Sequence, residues 1–259
     1  MTPPPDGRGR LARLGGALRA ERLKLRRSLA ATLVGLVPAV AALVALAVKS
    51  LVPVDVHAEP ALAARFYLSL CLSNWGLLFV QVHVVLRSAA TGQVEFANRG
   101  LKHLFALPVS RRTIYAAKAL DVAGSACAAC LAFFALAVAI GFAQHTLSLQ
   151  LPAQVWAAAA LQAALLMLAT LALCSVQVAL AVNLASFVAV TGVGFGATLF
   201  GLFGQMALGR HALYFPWHMP SAIVNAPADA RLGACAWALA LVAASSVVGA
   251  RWFERRVEL

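Results

Sequence analysis

The sequence predicts an all-α integral membrane protein of six transmembrane helices, with an N-terminal amphipathic interfacial helix and a cytoplasmic helix between spans two and three. Three observations carry that prediction. The 259-residue chain is 62% hydrophobic and 12% charged, with a mean hydropathy of +0.85, whereas soluble domains run near half apolar and a quarter charged. Its apolar residues gather in uncharged runs long enough to cross about 30 Å of hydrocarbon at about 1.5 Å per helical residue. Its 21 Lys+Arg against 9 Asp+Glu give a formal charge of +12, and the basic residues lie in short segments between those runs. That distribution reads as membrane topology, not as a nucleic-acid-binding face.

Residues 1–27 form a cytoplasmic basic tail holding eight of the basic residues. A tail of that length ahead of a long apolar run predicts a retained anchor and not a cleaved signal peptide. Within it, Leu11, Leu14, Leu18 and Leu25 make one helical stripe with Arg13, Arg19, Arg22, Lys24 and Arg26 off it. That is the pattern of a helix lying in the headgroup plane, where anionic lipid adds on the order of 1 kcal/mol per basic residue. The same charges could instead serve only to fix orientation.

The transmembrane domain, 28–250, divides at its charged and polar residues. Ser28–Val48 and Phe66–Leu86 each give 21 consecutive residues without a formal charge, predicting spans at about 28–50 and 66–86. Val122–Gly209 then runs for 88 uncharged residues. The polar stretch Gln144-His145 to Gln150-Leu151-Pro152, and Asn183, divide it into spans at about 119–143, 154–182 and 184–208. Gly233–Ala250 supplies 18 more, a span at 233–250, with a tail at 251–259. With six spans and both termini cytoplasmic, 17 of the 21 basic residues fall on one side, as the positive-inside rule asks. Residues 209–232, broken by Pro216, Pro220 and Pro227, are expected as an outer loop with a short re-entrant or interfacial helix. Tyr214 and Trp217 suit the headgroup level there.

The five cysteines (Cys71, Cys127, Cys130, Cys174, Cys235) all lie in apolar spans. Cys127 and Cys130 have ligand-like spacing but no second ligand pair nearby, so they read as small polarisable packing residues. The six histidines are scattered without an HExxH-type cluster, so no metal site is expected. An intramembrane enzyme needs paired catalytic groups at bilayer depth, and Asp121 is the lone acid there.

The cytoplasmic segment 87–118 carries six basic residues against one acid, Glu95. Val94, Leu101, Leu104, Phe105 and Leu107 give an amphipathic pattern that Pro108 ends, and Ser110 is a plausible N-cap for the helix leading into span three. A short basic-rimmed helix outside the bilayer either packs on neighbouring helix ends or docks a soluble partner. Glu95, then Leu101-Lys102-His103-Leu104-Phe105-Ala106-Leu107-Pro108-Val109-Ser110-Arg111-Arg112, then Ile114-Tyr115 and Lys118, resembles the signature after the second span in ABC transporter permeases of the type-2 exporter class. It is most similar to the small bacitracin and lantibiotic self-immunity permeases. Glu21-Arg22-Leu23-Lys24 and Phe215-Pro216-Trp217-His218-Met219-Pro220 are similar as well.

The resemblance implies a permease subunit without enzymatic activity in the bacterial cytoplasmic (inner) membrane, paired with a second copy or a closely related permease. It implies two cytoplasmic ATPase subunits that bind the ATP and Mg, export of an amphipathic or hydrophobic substrate, and Glu95–Leu107 as the coupling helix. Arg99, Lys102 and His103 would then be its polar contacts, with Leu104, Leu107, Pro108, Arg111 and Arg112 completing the signature. The chain's lack of a GxxxxGK[ST] phosphate loop fits that division of labour. The family contact between spans one and five places Gly192 and Gly196, a GxxxG pair, at a dimer interface, although intrachain packing would use them equally. Asn74 and Gln81, seven residues apart, share a helical face and either line the substrate route or make interhelical hydrogen bonds. Asp121 could pair with Lys118. The rival reading is an ion-coupled carrier or channel working without an ATPase.

Overall fold

The structure, a computed structural model, describes residues 7–25, 29–51, 59–97, 109–184 and 186–255. All regular structure among the described residues is helical: α1 Gly7–Leu25, α2 Leu29–Leu51, α3 Pro60–Asn74, a π-helical turn at Trp75–Phe79, α4 Val80–Ala97, α5 Arg111–Ala143, α6 Ala153–Asn183, α7 Phe187–Leu208, a 3-10 turn at Gly209–Tyr214, the single turn α8 Met219–Ala222, and α9 Ala228–Arg255. Four stretches are long and apolar enough to cross a membrane: Pro60–Gln93, Arg111–Ala143, Ala153–Asn183 and Ala228–Arg255. Two further apolar stretches, Thr32–Ala47 and Phe187–Phe203, are shorter among the described residues. The chain is thus a multi-pass membrane protein, helical throughout the regular structure of its described residues.

The helices outrun the spans read from the sequence. α5 has 33 residues and α9 has 28, so at 1.5 Å per residue both exceed the roughly 30 Å of hydrocarbon and carry charged turns beyond it. Ser110 caps α5 as expected, its Oγ accepting the Thr113 amide at 3.2 Å. α6 is the central helix, packed against α3, α4, α5, α7 and α9. Its uncharged, small-residue sequence permits that, because close helix approach in lipid depends on small side chains and van der Waals contact. Its hydroxyls turn back onto its own carbonyls, Thr170 to Leu166 at 2.8 Å and Ser175 to Ala172 at 2.7 Å, which removes the cost of burying them unpaired.

The core of the bundle centres on Trp75, which is fully buried, stacks on Phe133 at 4.7 Å and donates to Cys130 Sγ at 3.3 Å. Beside it Tyr67 donates to the Ala137 carbonyl at 2.6 Å. Cys130 is therefore a packing residue holding an indole, and all five cysteines are free thiols.

Candidate functional site

The segment predicted to couple to a partner leaves α4 and returns at α5, and the charged groups at these two helix ends define the first part of the site. Glu95 lies in the last turn of α4; Arg99, Lys102, His103, Leu104, Leu107 and Pro108 lie outside the described residues. What is described is the base on which the segment stands. Arg87 on α4 donates to Asp121 on α5 at 2.7 Å, with side chains 7% and 3% exposed. Arg22 on α1 reaches the other Asp121 oxygen at 3.9 Å but is 65% exposed. One turn earlier on α5, the fully buried Lys118 donates to Glu21 of α1 at 3.0 Å, and Lys24 donates to the same carboxylate at 2.9 Å. Burial alone would raise the Glu21 carboxyl, but the facing Lys118 and Lys24 ammonium groups outweigh it and hold the group below its ordinary value. Asp121 therefore takes arginines from two other helices, and the expected Lys118 bond goes to Glu21 of α1.

α1 rides on this lattice. Leu14, Ala17 and Leu18 are half-buried and Glu21 is buried, while Arg13, Arg19 and Arg22 point outward. Of the expected stripe, Leu14 and Leu18 are described on the face turned inward; α1 packs on α5, with an acid set into that face. Arg111 and Arg112, which complete the expected coupling signature, are both engaged within the chain: Arg111 donates to the Glu254 carbonyl at 2.7 Å, and Arg112 to the Glu254 carboxylate at 2.7 and 3.4 Å. They tie the start of α5 to the end of α9.

At the other end of α9 lies the second part of the site. A cavity of about 910 Å³ opens between α3 and the chain from Gly209 to Ala230. Asn225 bridges its wall, accepting from Ser69 at 3.1 Å and donating to Ser73 at 2.7 Å. Asn74 lines the cavity and donates to the Ala41 carbonyl of α2 at 3.4 Å. Gln81 does not join it there. The π-helical turn inserts a residue between the two, rotating the rest of the helix by about 100°. Gln81 is 1% exposed and donates to the Gly76 and Leu77 carbonyls at 3.1 and 3.0 Å, satisfying the acceptors that the turn releases. The shared face expected from a spacing of seven thus fails because the helix is not regular.

The 209–227 chain packs inward on this turn. Met219, Ile223 and Val224 are fully buried, and a Cβ on Gly76 would meet the Pro220 carbonyl at 2.6 Å, so only glycine permits this approach. Trp217 is 8% exposed and packs in the core, whereas Tyr214 is half-exposed and its carbonyl accepts from Trp237 at 2.8 Å.

A family model described as ABC-2 family transporter protein matches residues 17–205. The chain belongs to the ABC-2 transporter family. No curated protein matches it significantly. The matched stretch of this ABC-2 permease opens just before Glu21 and contains the whole charge lattice and α7 as far as residue 205, while most of the cavity wall lies beyond it. On α7, Gly192 and Gly196 are exposed, with nothing within 4 Å of a Cβ built on either, whereas Gly194 abuts Val85 and Gln177. Intrachain packing among the described residues thus uses Gly194 and leaves the GxxxG pair open. Sequence reasoning missed the Glu21–Lys118 and Arg87–Asp121 pairs. Their signal was an acid on the apolar stripe of Leu14, Leu18 and Leu25, and a basic residue ending an uncharged run while an acid opens the next.

Proposed function

We propose that this ABC-2 chain is the membrane-spanning subunit of an ATP-driven exporter, crossing the bilayer six times with both termini in the cytoplasm. A separate ATPase subunit, in two copies, binds ATP and Mg and grips the coupling segment between Glu95 and Leu107. A second copy of the chain, or a closely related permease, packs against Gly192 and Gly196. The substrate is an amphipathic or hydrophobic molecule, such as a peptide antibiotic, drug or lipid-like compound, moved outward across a bacterial inner membrane.

The observation that carries this reading is the convergence of α1, α4 and α5, the last two flanking that segment in the chain, through buried ion pairs within the family match. Motion imposed on a loop reaches the bilayer only if the loop's two stems move as one body. Arg87–Asp121 joins the stems and Lys118–Glu21 adds α1 to them. The test replaces Glu95→Ala together with Leu104→Asp and measures ATPase capture, ATP hydrolysis and export in vesicles. Loss of all three with the permease still folded is the expected result. Unchanged transport, or transport by the isolated chain without nucleotide, would refute the coupling and favour the ion-coupled carrier.

A further inference from the structure

The cavity between α3 and the 209–230 chain differs from the lipid-facing surface in ways that fit a ligand. Its volume, about 910 Å³, lies within the range of about 300–1,000 Å³ typical of small-molecule pockets. Its lining includes the apolar side chains of Leu70, Leu77, Leu213 and Ala222. Hydrogen-bonding groups are set among them: Ser73 and Asn74 from α3, and Ser221 from the inward-packed turn. His218, also in the wall, is 3% exposed, and its Nε2 has no hydrogen-bond partner among the described residues. Burial holds its imidazole below the ordinary value and therefore uncharged at neutral pH.

The charge census of the wall gives the ligand's sign. Among the described lining residues Asp229 is the one carboxylate, His211 and His218 are the two imidazoles, and there is no lysine or arginine. Arg231, two residues on, turns its guanidinium to the Ala226 carbonyl at 2.8 Å. Tyr214, half-exposed at the rim, offers the aromatic face that organic cations favour. In a chain of net charge +12, a cavity whose described lining holds an acid and no lysine or arginine is a local exception.

We infer that this cavity is a binding site for a lipophilic organic cation of drug size, with Asp229 as counter-ion, Asn74 and Ser73 orienting the head, and Leu70, Leu77 and Leu213 contacting the apolar body. A folded peptide is too large for it, so the site narrows the proposed substrates to compact amphiphiles. The inference rests on the exporter reading for its place on the outer side of the membrane, though binding itself does not require that reading. The cavity also abuts the π-helical turn through Leu77, so an occupant would press on the helix that leads into the coupling segment.

The test is equilibrium binding of radiolabelled tetraphenylphosphonium to the purified full-length chain in maltoside micelles, with tetraphenylborate as the isosteric anion. Saturable phosphonium binding, weakened about tenfold or more by Asp229→Asn and retained by Asp229→Glu, is expected, together with little borate binding. Ala222→Trp, which fills the cavity, should abolish it. Asp229 also sits in the first turn of α9, where an acid favours the helix N-terminus; if that were its whole role, Asp229→Asn would lower thermal stability and leave binding unchanged. That result, equal binding of cation and anion, or undiminished binding to the Ala222→Trp chain would overturn the inference. The assay contains no ATPase, so its failure leaves the coupling proposal standing, and failure to capture an ATPase leaves the cavity standing.

Discussion

Asp121→Asn isolates what the inner charge lattice contributes. The Arg87–Asp121 contact is 2.7 Å long between side chains 7% and 3% exposed, whereas Arg22 approaches the same carboxylate at 3.9 Å with 65% of its side chain exposed. Removing one partner of a buried pair leaves an uncompensated charge in a low-dielectric interior, at a cost of about 3–5 kcal/mol. Removing an exposed partner costs about 1 kcal/mol or less, because water and salt already screen it. Asp121→Asn should therefore destabilise the permease several times more than Arg22→Ala. Arg87→Met combined with Asp121→Leu should recover most of the loss, since no charge is then stranded. The assay is equilibrium unfolding in mixed micelles tracked by tryptophan fluorescence, to which the buried Trp75 contributes. If Asp121→Asn and Arg22→Ala cost the same, or the double variant is as unstable as Asp121→Asn, the buried-pair argument is wrong.

The same geometry sets three further outcomes. Gly76→Ala drives a methyl into the Pro220 carbonyl 2.6 Å away; a cost of about 1–3 kcal/mol and faster proteolysis within 209–227 are expected, measured by unfolding and limited digestion. Gly192→Leu should dissociate dimers in detergent while leaving the monomer folded, whereas Gly194→Leu should unfold it by striking Val85 and Gln177; size-exclusion chromatography with light scattering separates the two, and an unchanged oligomer in Gly192→Leu removes the proposed interface. Because the Glu21 carboxyl is held below its ordinary value, its stabilising effect is complete above that ordinary value and lost as pH falls through the lowered one. Acidification should thus loosen α1 in the native chain and not in Glu21→Gln, read as protease sensitivity of residues 7–25.

Composition and run length were enough to read an all-helical, multi-pass membrane protein from the sequence, because a bilayer imposes a one-dimensional rule: a long uncharged run must satisfy its own backbone as a helix. The Ser110 cap was legible for the same local reason. What a charge bonds to was not. Asp121 could be placed near Lys118 on α5, but only the packing of α1 and α4 against α5 decided that Asp121 takes Arg87 and that Lys118 takes Glu21. The shared face of Asn74 and Gln81 depended on an unbroken 3.6-residue period, which the π-helical turn interrupts. Trp217 could be assigned to a loop but not to the core, since burial depends on where Gly76 lets the Pro220 turn approach. Local propensity and transfer free energy are properties of the chain and survive in its order. Partner choice, register and enclosure are properties of surfaces that meet only when distant segments have packed, and the folded molecule alone decides them.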